Sequence, residues 1–197
     1  MRGERRLFSN LGFALTPHAL LEVRGANGSG KTSLLRMLCG LLSPAAGSIN
    51  WLGSDIRAQG EEYCAQIAYL GHLSAVKDEL SALENLRFAA RLAAIPTDAD
   101  NASAALRWFG VERFLHQPCR TLSQGQRRRV ALARLRLSAE RPLWILDEPF
   151  TALDSSAVQL MQSLLESHLS QGGMTVLTTH QEVPVAARST QRIELKS

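Results

Sequence analysis

The 197-residue chain is long enough for one well-buried domain, and its 45% hydrophobic and 20% charged residues are ordinary for a globular protein. Its net charge of +4 fits an anionic ligand or an acidic membrane surface and decides neither. Three widely spaced cysteines argue against a disulfide framework, and no apolar run approaches the roughly 20 residues that span a bilayer. We therefore expect a chain that is soluble by itself, so that any role at a membrane needs a partner.

The first half of the chain begins with alternating strand and turn patterns. Residues 1–16 are expected to form a pair of strands. An apolar run of strand length follows from Ala19 to Val23, then a glycine-rich turn at 25–30, then an apolar-periodic run through Leu42. The order is strand, turn and helix, and the helix is expected to stop near Ser43-Pro44 because proline cannot continue it.

The glycine-rich turn matches the phosphate-loop pattern G-x-x-x-x-G-K-[ST] from Gly25 to Thr32. Its glycines allow positive φ, so that backbone N–H groups converge on an anion at the positive end of the next helix. Lys31 is placed to reach the β- and γ-phosphates, and the Thr32 hydroxyl is placed to coordinate Mg²⁺. The alternative is a flexible Gly/Ser loop, which the flanking strand and helix disfavour. The predicted nucleotide-binding residues are Gly25, Ala26, Asn27, Gly28, Ser29, Gly30, Lys31, Thr32 and Ser33.

The middle of the chain is mainly helical. A short strand is predicted between Gly47 and Gly53, and a second core strand from Ala65 to Leu70. A capping-box pattern at Ser81 begins a helix to about Ala94, and a further helix is predicted from Asp98 to Phe109. Because these helices lie between core strands, residues of about 73–122 are predicted to form a helical subdomain.

The remaining segments alternate between helix and strand. A helix is predicted from Ser123 to Ser138 and another from Ser155 to Gln171. The continuous apolar runs at 142–146 and 175–179 are typical of strands in a parallel sheet that is covered on both faces, and 191–195 is a candidate edge strand. The alternation predicts an α/β fold in a single domain spanning 1–197.

Polar side chains follow two of these strands. Asp147 and Glu148 come directly after the first, where a carboxylate faces the ligand crevice of a parallel sheet. Asp147 is a candidate for holding Mg²⁺, and Glu148 is a candidate general base or water-positioner for attack on the γ-phosphate. A solvated acidic turn is the alternative for this pair. His180 follows the second strand and is a candidate γ-phosphate contact, although a lone histidine is more often structural.

The segment Leu122–Gln126 combines a serine hydroxyl, a glycine and a helix N-terminus, which makes a second anion site. One nucleotide does not need two such sites from one chain, which favours a site shared between two chains. The run Arg127–Arg129 that follows is a solvated face or a nucleic-acid-binding face, and the solvated face is favoured.

Together these segments resemble the ATP-binding-cassette (ABC) family of ATPases. The matching pieces are GANGSGKT, LSQGQRRRVALAR, LWILDEP, TALD and TTH, in that order, from about residue 7 to the end. The signature LSQGQ is highly specific, whereas the phosphate loop alone is not. The resemblance implies a P-loop NTPase of ABC ATPase type, in which a mostly parallel sheet core carries a small antiparallel β-subdomain and a helical subdomain.

The resemblance also implies two chains that pair head to tail as a homodimer. Each ATP, with Mg²⁺, would lie between residues 25–33 of one chain and the signature of the other. The signature residues expected to contact that ATP are Ser123, Gly125 and Gln126.

Further roles follow from the same resemblance. Glu148 would be the catalytic carboxylate and His180 the switch histidine. Asp154, in the segment TALD, would belong to the loop that communicates across the dimer. Closing on two ATPs and opening after hydrolysis would drive a partner through a conformational cycle.

The segments YLGHLSAVKDELSALENLRF and WILDEPFTALD resemble more closely the ATP-binding subunits of bacterial cytochrome c maturation systems. This implies a peripheral subunit on the cytoplasmic face of the inner membrane, with integral membrane permease subunits as partners, in haem export or haem-chaperone release. Two alternatives stay open. One is a soluble cassette ATPase that uses Arg127–Arg129 on nucleic acid or ribosomes, although nucleic acid is not the expected partner. The other is a regulatory module that hardly hydrolyses ATP.

Two positions depart from the family pattern. Leu73 stands where cassette ATPases usually carry a glutamine that contacts Mg²⁺, and leucine cannot coordinate a metal. His72 or a water would have to substitute, or coupling differs. At the N-terminus the usual adenine-stacking aromatic is missing. Either the guanidinium of Arg5 or Arg6 takes that place, or the chain begins after the family's first strand.

Overall fold

The computed structural model describes residues 7–195, and within that range strands and helices alternate along the chain. The strands are β1 (Ala19–Gly25), β2 (Asn50–Trp51), β3 (Ser54–Asp55), β4 (Ile67–Leu70), β5 (Leu143–Asp147), β6 (Met174–Thr178) and β7 (Ser189–Leu195). The helices are α1 (Lys31–Leu38), α2 (Ile56–Gln59), α3 (Glu61–Gln66), α4 (Ala82–Leu92), α5 (Ala99–Trp108), α6 (Gln124–Leu137) and α7 (Ser155–Ser170), with short 3₁₀ turns at Glu112–Phe114 and Cys119–Thr121.

A five-stranded sheet of order β4-β5-β6-β1-β7 forms the centre of the fold, and all of its described pairings are parallel. Strands β5 and β6 are buried along their whole length, as expected for strands that helices cover on both faces. Because β5, β6 and β1 are neighbours and parallel, their carboxyl ends lie side by side. The predicted α/β fold with a parallel core is confirmed.

The core divides into two apolar clusters because strand side chains alternate across the sheet. Trp144 and Leu146 of β5 join the cluster that includes residues of α4 to α7, whereas Leu143 and Ile145 join the cluster that includes residues of α1 and α3. Helices α4 and α5 pack against each other and against α6. The predicted helical region at about 73–122 therefore contains α4 and α5 and is completed by a helix that follows it.

The strand pair predicted at 1–16 is not found. Residues 1–6 lie outside the described range, and residues 7–16 form no strand within it. Alternating apolar side chains of this segment, including Leu11 and Phe13, pack partly buried against the α1-side cluster without joining a ladder. The described antiparallel pairing is the two-residue hairpin of β2 and β3, which the positive-φ residues Leu52 and Gly53 close.

Two predicted boundaries were also wrong. Helix α1 ends at Leu38 because Gly40 adopts a φ of 73° and Leu41 N–H donates to the carbonyl of Arg36, the pattern of a Schellman cap. Leu41 is consequently 63% exposed instead of continuing the helix. Strand β4 begins at Ile67 rather than Ala65 because the preceding residues form α3, which the sequence did not indicate. None of the helices described between residues 7 and 195 is both long and apolar enough to cross a bilayer.

Candidate functional site

The loop between β1 and α1 has the backbone that the phosphate-loop pattern requires. Gly25, Gly28 and Gly30 all adopt positive φ, at 142°, 83° and 105°. A Cβ on Gly25 would lie 2.5 Å from the carbonyl oxygen of Leu195, so no larger residue fits there. Lys31 Nζ donates to the carbonyl oxygen of Gly25 at 2.7 Å, which places the ammonium group over the loop. The loop therefore presents backbone N–H groups and one cation at the N-terminus of α1.

The carboxylate of Asp147, at the end of β5, is held by two hydroxyl groups. Thr32 Oγ1 donates to Asp147 Oδ2 at 2.8 Å, and Thr178 Oγ1 donates to Asp147 Oδ1 at 2.7 Å. Thr178 also accepts the backbone N–H of Glu148 at 2.9 Å. The predicted pair Thr32 and Asp147 is thus brought together by the parallel sheet, and both side chains offer oxygen ligands.

Glu148 lies in a strained turn directly after Asp147. Its φ is 52°, a left-handed conformation that costs a non-glycine residue about 1–3 kcal/mol. Pro149 follows, and the residue before a proline ordinarily prefers extended backbone. His180 Nε2 lies 3.3 Å from Glu148 Oε1 without hydrogen-bond geometry, and this buried oxygen has no hydrogen-bond partner among residues 7–195. The structure therefore brings the predicted pair Glu148 and His180 together and leaves one carboxylate oxygen available.

The predicted capping box at the start of α6 is present. Ser123 Oγ accepts the N–H of Gln126, and Gln126 Oε1 accepts the N–H of Ser123. Ser123 is exposed, and in the described part of the chain no hydrogen bond joins this segment to the phosphate loop. A Cβ on Gly125 would lie 3.3 Å from the carbonyl oxygen of Ala152, so the first turn of α6 lies against the loop that ends at Asp154.

The prediction of a solvated face at Arg127–Arg129 was wrong. Arg127 Nη1 donates to Asp78 Oδ1 at 2.7 Å, and Arg129 Nη2 donates to both carboxylate oxygens of Asp154 at 2.6 and 2.7 Å. Arg128 is only 4% exposed and donates to backbone carbonyls. Burial lowers the pKa of its guanidinium, and the nearby Asp147 carboxylate opposes that shift. All three arginine side chains make contacts within the chain, because α6 packs between the neighbouring helices and the turn that follows β5.

Asp154 caps α7 and pairs with Arg129. Its carboxylate accepts the N–H of Ala157 at 2.9 Å. That bond, together with the hydrogen bonds from Arg129 and Ser156, lowers the pKa of Asp154 to about 2. Arg129 thereby ties α6 to the start of α7.

Comparison with known proteins identifies the family to which these features belong. Residues 8–151 match the ABC transporter family. The chain belongs to the ABC family and is an ABC-type ATPase. The predicted P-loop NTPase fold and the nucleotide as its ligand agree with this membership.

The curated relatives of this ABC ATPase match it over nearly the full length. It is 54% identical over 195 residues to the cytochrome c biogenesis ATP-binding export protein CcmA of Nitrosospira multiformis, which covers 99% of this chain and 94% of that protein. It is 52% identical over 195 residues to the protein of the same name from Dechloromonas aromatica, with 99% and 95% covered.

Solved structures support the same fold. An ATP-binding subunit of an ABC transporter superposes with a TM-score of 0.74 at 30% identity, covering 85% of this chain and 70% of that one. A dimeric ATP-binding cassette in a post-hydrolysis state, bound to ADP and Pi, superposes with a TM-score of 0.77 at 24% identity, covering 89% and 80%. At that identity the second likeness shows the fold alone.

Sequence reasoning missed two residues of this ABC ATPase site, Thr178 and Arg128. Thr178 is fully buried at the end of β6, and although it belongs to the matching segment TTH, the sequence analysis assigned a role there to His180 alone. The sequence carried no signal for Arg128, because only the packing of α6 against the β5 turn buries it. Leu73, in contrast, is 81% exposed, and its side chain contributes no ligand group.

Proposed function

We propose that this ABC ATPase is the ATP-hydrolysing subunit of a cytochrome c maturation complex, active in haem export or haem-chaperone release. The observation that carries the proposal is the 54% identity to a cytochrome c biogenesis export protein over almost the whole of both chains. The chain would act on the cytoplasmic face of the inner membrane, as a homodimer bound to integral membrane permease subunits of that system.

In this proposal the phosphate loop holds the ATP. The backbone N–H groups of residues 25–33 and the ammonium group of Lys31 contact the phosphates. The Thr32 hydroxyl and the Asp147 carboxylate would hold Mg²⁺, because both are hard oxygen donors and their oxygens lie 2.8 Å apart. When bound, the ion supplies positive charge that neutralises the phosphate oxygens.

Glu148 carries the chemistry of this site. A water beside Glu148 Oε1 attacks the γ-phosphorus as the carboxylate orients it and accepts its proton, and the bond to the β–γ bridging oxygen breaks to leave ADP. Burial of that oxygen without a hydrogen-bond partner among residues 7–195 supports this role. His180, 3.3 Å away, is placed to contact the γ-phosphate.

The exposed start of α6 supplies the other half of a shared site. Ser123 is exposed and Gly125 and Gln126 are half-buried at the N-terminus of α6, and they make no hydrogen bond to their own phosphate loop among the described residues. In a head-to-tail dimer they would contact the ATP of the partner chain. Asp154, held by Arg129 beside this turn, would transmit changes across the dimer.

The test is affinity purification of the tagged chain from detergent-solubilised inner membranes, with identification of the co-purifying proteins and haem measured by absorbance. Recovery of integral membrane subunits of the cytochrome c maturation system supports the proposal. Recovery of a different permease overturns the cytochrome c assignment and keeps the ABC ATPase. Recovery of RNA that is lost at higher salt, without membrane proteins, would favour the alternative function, an ATPase that acts on nucleic acid.

A further inference from the structure

The buried guanidinium of Arg128 contacts the segments that follow the neighbouring strands β4 and β5. Arg128 Nη2 donates to the carbonyl oxygen of Glu148 at 2.6 Å and to that of Asp147 at 3.4 Å. Its Nη1 donates to the carbonyl oxygens of Gly71 and His72, each at 3.5 Å. These four hydrogen bonds all go to backbone carbonyls, so Arg128 holds the backbone of both segments without occupying the carboxylate oxygens of Asp147 or Glu148.

Both polar backbone groups of Glu148 are hydrogen-bonded. Its φ of 52° before Pro149 is a conformation that the local sequence does not favour. Its carbonyl accepts the Thr151 N–H at 3.2 Å within the turn and Arg128 Nη2 at 2.6 Å from α6, and its N–H donates to Thr178 Oγ1. The backbone of this residue is therefore held at both of its polar groups, while side-chain Oε1 stays unpaired within the described chain.

Arg128 also connects this turn to two segments of the ATPase. It lies in the second turn of α6, whose N-cap is Ser123 at the start of the signature. The loop at Gly71–His72 leads directly into Leu73, where the metal-binding glutamine of other cassettes is absent. One guanidinium thus contacts the Glu148 turn and the loop after β4 from the helix that carries the signature.

We propose that Arg128 is a positioning residue for ATP hydrolysis, which holds the Glu148 turn in its left-handed conformation and ties it to α6 and to the loop after β4. The inference rests on the proposed role of Glu148. Arg128 thereby connects α6, the helix that begins in the signature, to the turn that carries the Glu148 carboxylate of the same chain. This connection does not involve residue 73.

The chain offers a matched control at the opposite end of β5. Arg141 also donates to three backbone carbonyls, those of Cys64, Ile67 and Ala93. It precedes β5, whereas the Glu148 turn follows it. Arg141 is half-buried, and Arg141→Gln removes guanidinium-to-carbonyl hydrogen bonds of the same kind without touching the Glu148 turn.

The experiment compares Arg128→Gln, Arg128→Lys and Arg141→Gln in the chain bound to its membrane partners. ATP turnover, ATP affinity and hydrogen exchange of the amides at 71–73 and 148–151 are measured for each. We expect Arg128→Gln to lower kcat by about 10- to 100-fold, because small misplacements of reacting groups carry costs of that order. ATP affinity should change by less than about twofold, since residues 25–33 are untouched. Exchange should accelerate in both loops.

Arg128→Lys keeps a donor for the Glu148 carbonyl but loses the fork to the loop after β4. We expect it to fold and to recover part of the lost kcat, which keeps the proposal testable if Arg128→Gln does not fold. Arg141→Gln should leave kcat within about twofold of wild type.

The outcomes separate this inference from the role of Glu148. If Glu148→Gln abolishes turnover while Arg128→Gln and Arg128→Lys keep wild-type kcat, the positioning role is overturned and the role of Glu148 stands. The positioning role is also overturned if Arg141→Gln lowers kcat as much as Arg128→Gln does, or as much as Arg128→Lys does. Equal losses would show a general structural effect. If Glu148→Gln turns over normally, the proposed site itself fails.

Discussion

Thr32 donates its hydroxyl hydrogen to Asp147 Oδ2 at 2.8 Å, although 115 positions separate the two residues in the chain. Thr178 completes this group from the end of β6, since its hydroxyl donates to the other oxygen of Asp147. The group exists because β1, β6 and β5 are adjacent and parallel, so their carboxyl ends meet at one edge of the sheet. A carboxylate held by two hydroxyls on a rigid sheet is pre-organised for the Mg²⁺ role proposed for it.

The side chain of Glu148 is expected to carry hydrolysis and not nucleotide binding. Glu148→Gln should lower kcat by about 10²–10⁴-fold, because the amide cannot accept the proton of the attacking water. ATP affinity should be retained, since residues 25–33 are unchanged. ATP turnover and equilibrium nucleotide binding check this prediction, and normal hydrolysis by the variant would refute the role of Glu148.

Thr178 and Thr175 form a matched pair on β6, both fully buried. Thr178→Val leaves the Glu148 N–H and Asp147 Oδ1 without this partner, so we expect a loss of about 1–3 kcal/mol in unfolding free energy and slower ATP turnover. Thr175 Oγ1 has no hydrogen-bond partner among residues 7–195, so Thr175→Val should keep or raise stability by up to about 1 kcal/mol. Urea denaturation of both variants provides the measurement. Equal effects of the two substitutions would contradict the assigned hydroxyl contacts.

Asp154 should make stability depend on pH in the acid range. Its folded pKa of about 2 is lower than the ordinary 3.8, so the ionised carboxylate stabilises the fold above about pH 4 and the contribution is lost as the pH falls toward 2. Asp154→Ala removes the cap of α7 and should cost about 1 kcal/mol near neutral pH. Asp154→Asn retains an N-cap acceptor and should cost less, because the side chain is exposed and its ion pair is screened.

Denaturation at several pH values distinguishes these contributions. The difference in unfolding free energy between wild type and Asp154→Asn should narrow as the pH falls from about 5 to about 2. A difference that does not change with pH would mean that the charge of Asp154 contributes nothing to the folded state.

Leu73 is expected to be replaceable without loss of stability. Because its side chain is 81% exposed, Leu73→Gln should change the unfolding free energy by less than about 0.5 kcal/mol. The Mg²⁺ concentration required for half-maximal ATPase activity should stay the same, whereas Thr32→Val should raise it. A clear fall in the Mg²⁺ requirement of Leu73→Gln would show that a carboxamide at this position reaches the ion.

Local sequence patterns were sufficient for much of the site. The glycine spacing predicted the loop backbone at 25–30, and the capping boxes placed the starts of α4 and α6, because these features depend on residues within one turn of each other. The apolar run at 142–146 identified β5, and its position predicted that Asp147 and Glu148 would follow at the crevice.

Other features depend on contacts between distant segments. The strand-like alternation at 11–15 could not reveal that this segment packs against the core without a ladder partner among the described residues. Three consecutive arginines are typical of a solvated helix face. In the structure one of them is buried and the other two form ion pairs within the chain. The sequence alone determined the phosphate-binding turn and most of the longer strands and helices, since backbone preference and periodicity are local. Only the tertiary structure decided which polar groups are buried together, because the contacts of Arg128, Thr178 and Glu148 exist only where the sheet and α6 meet.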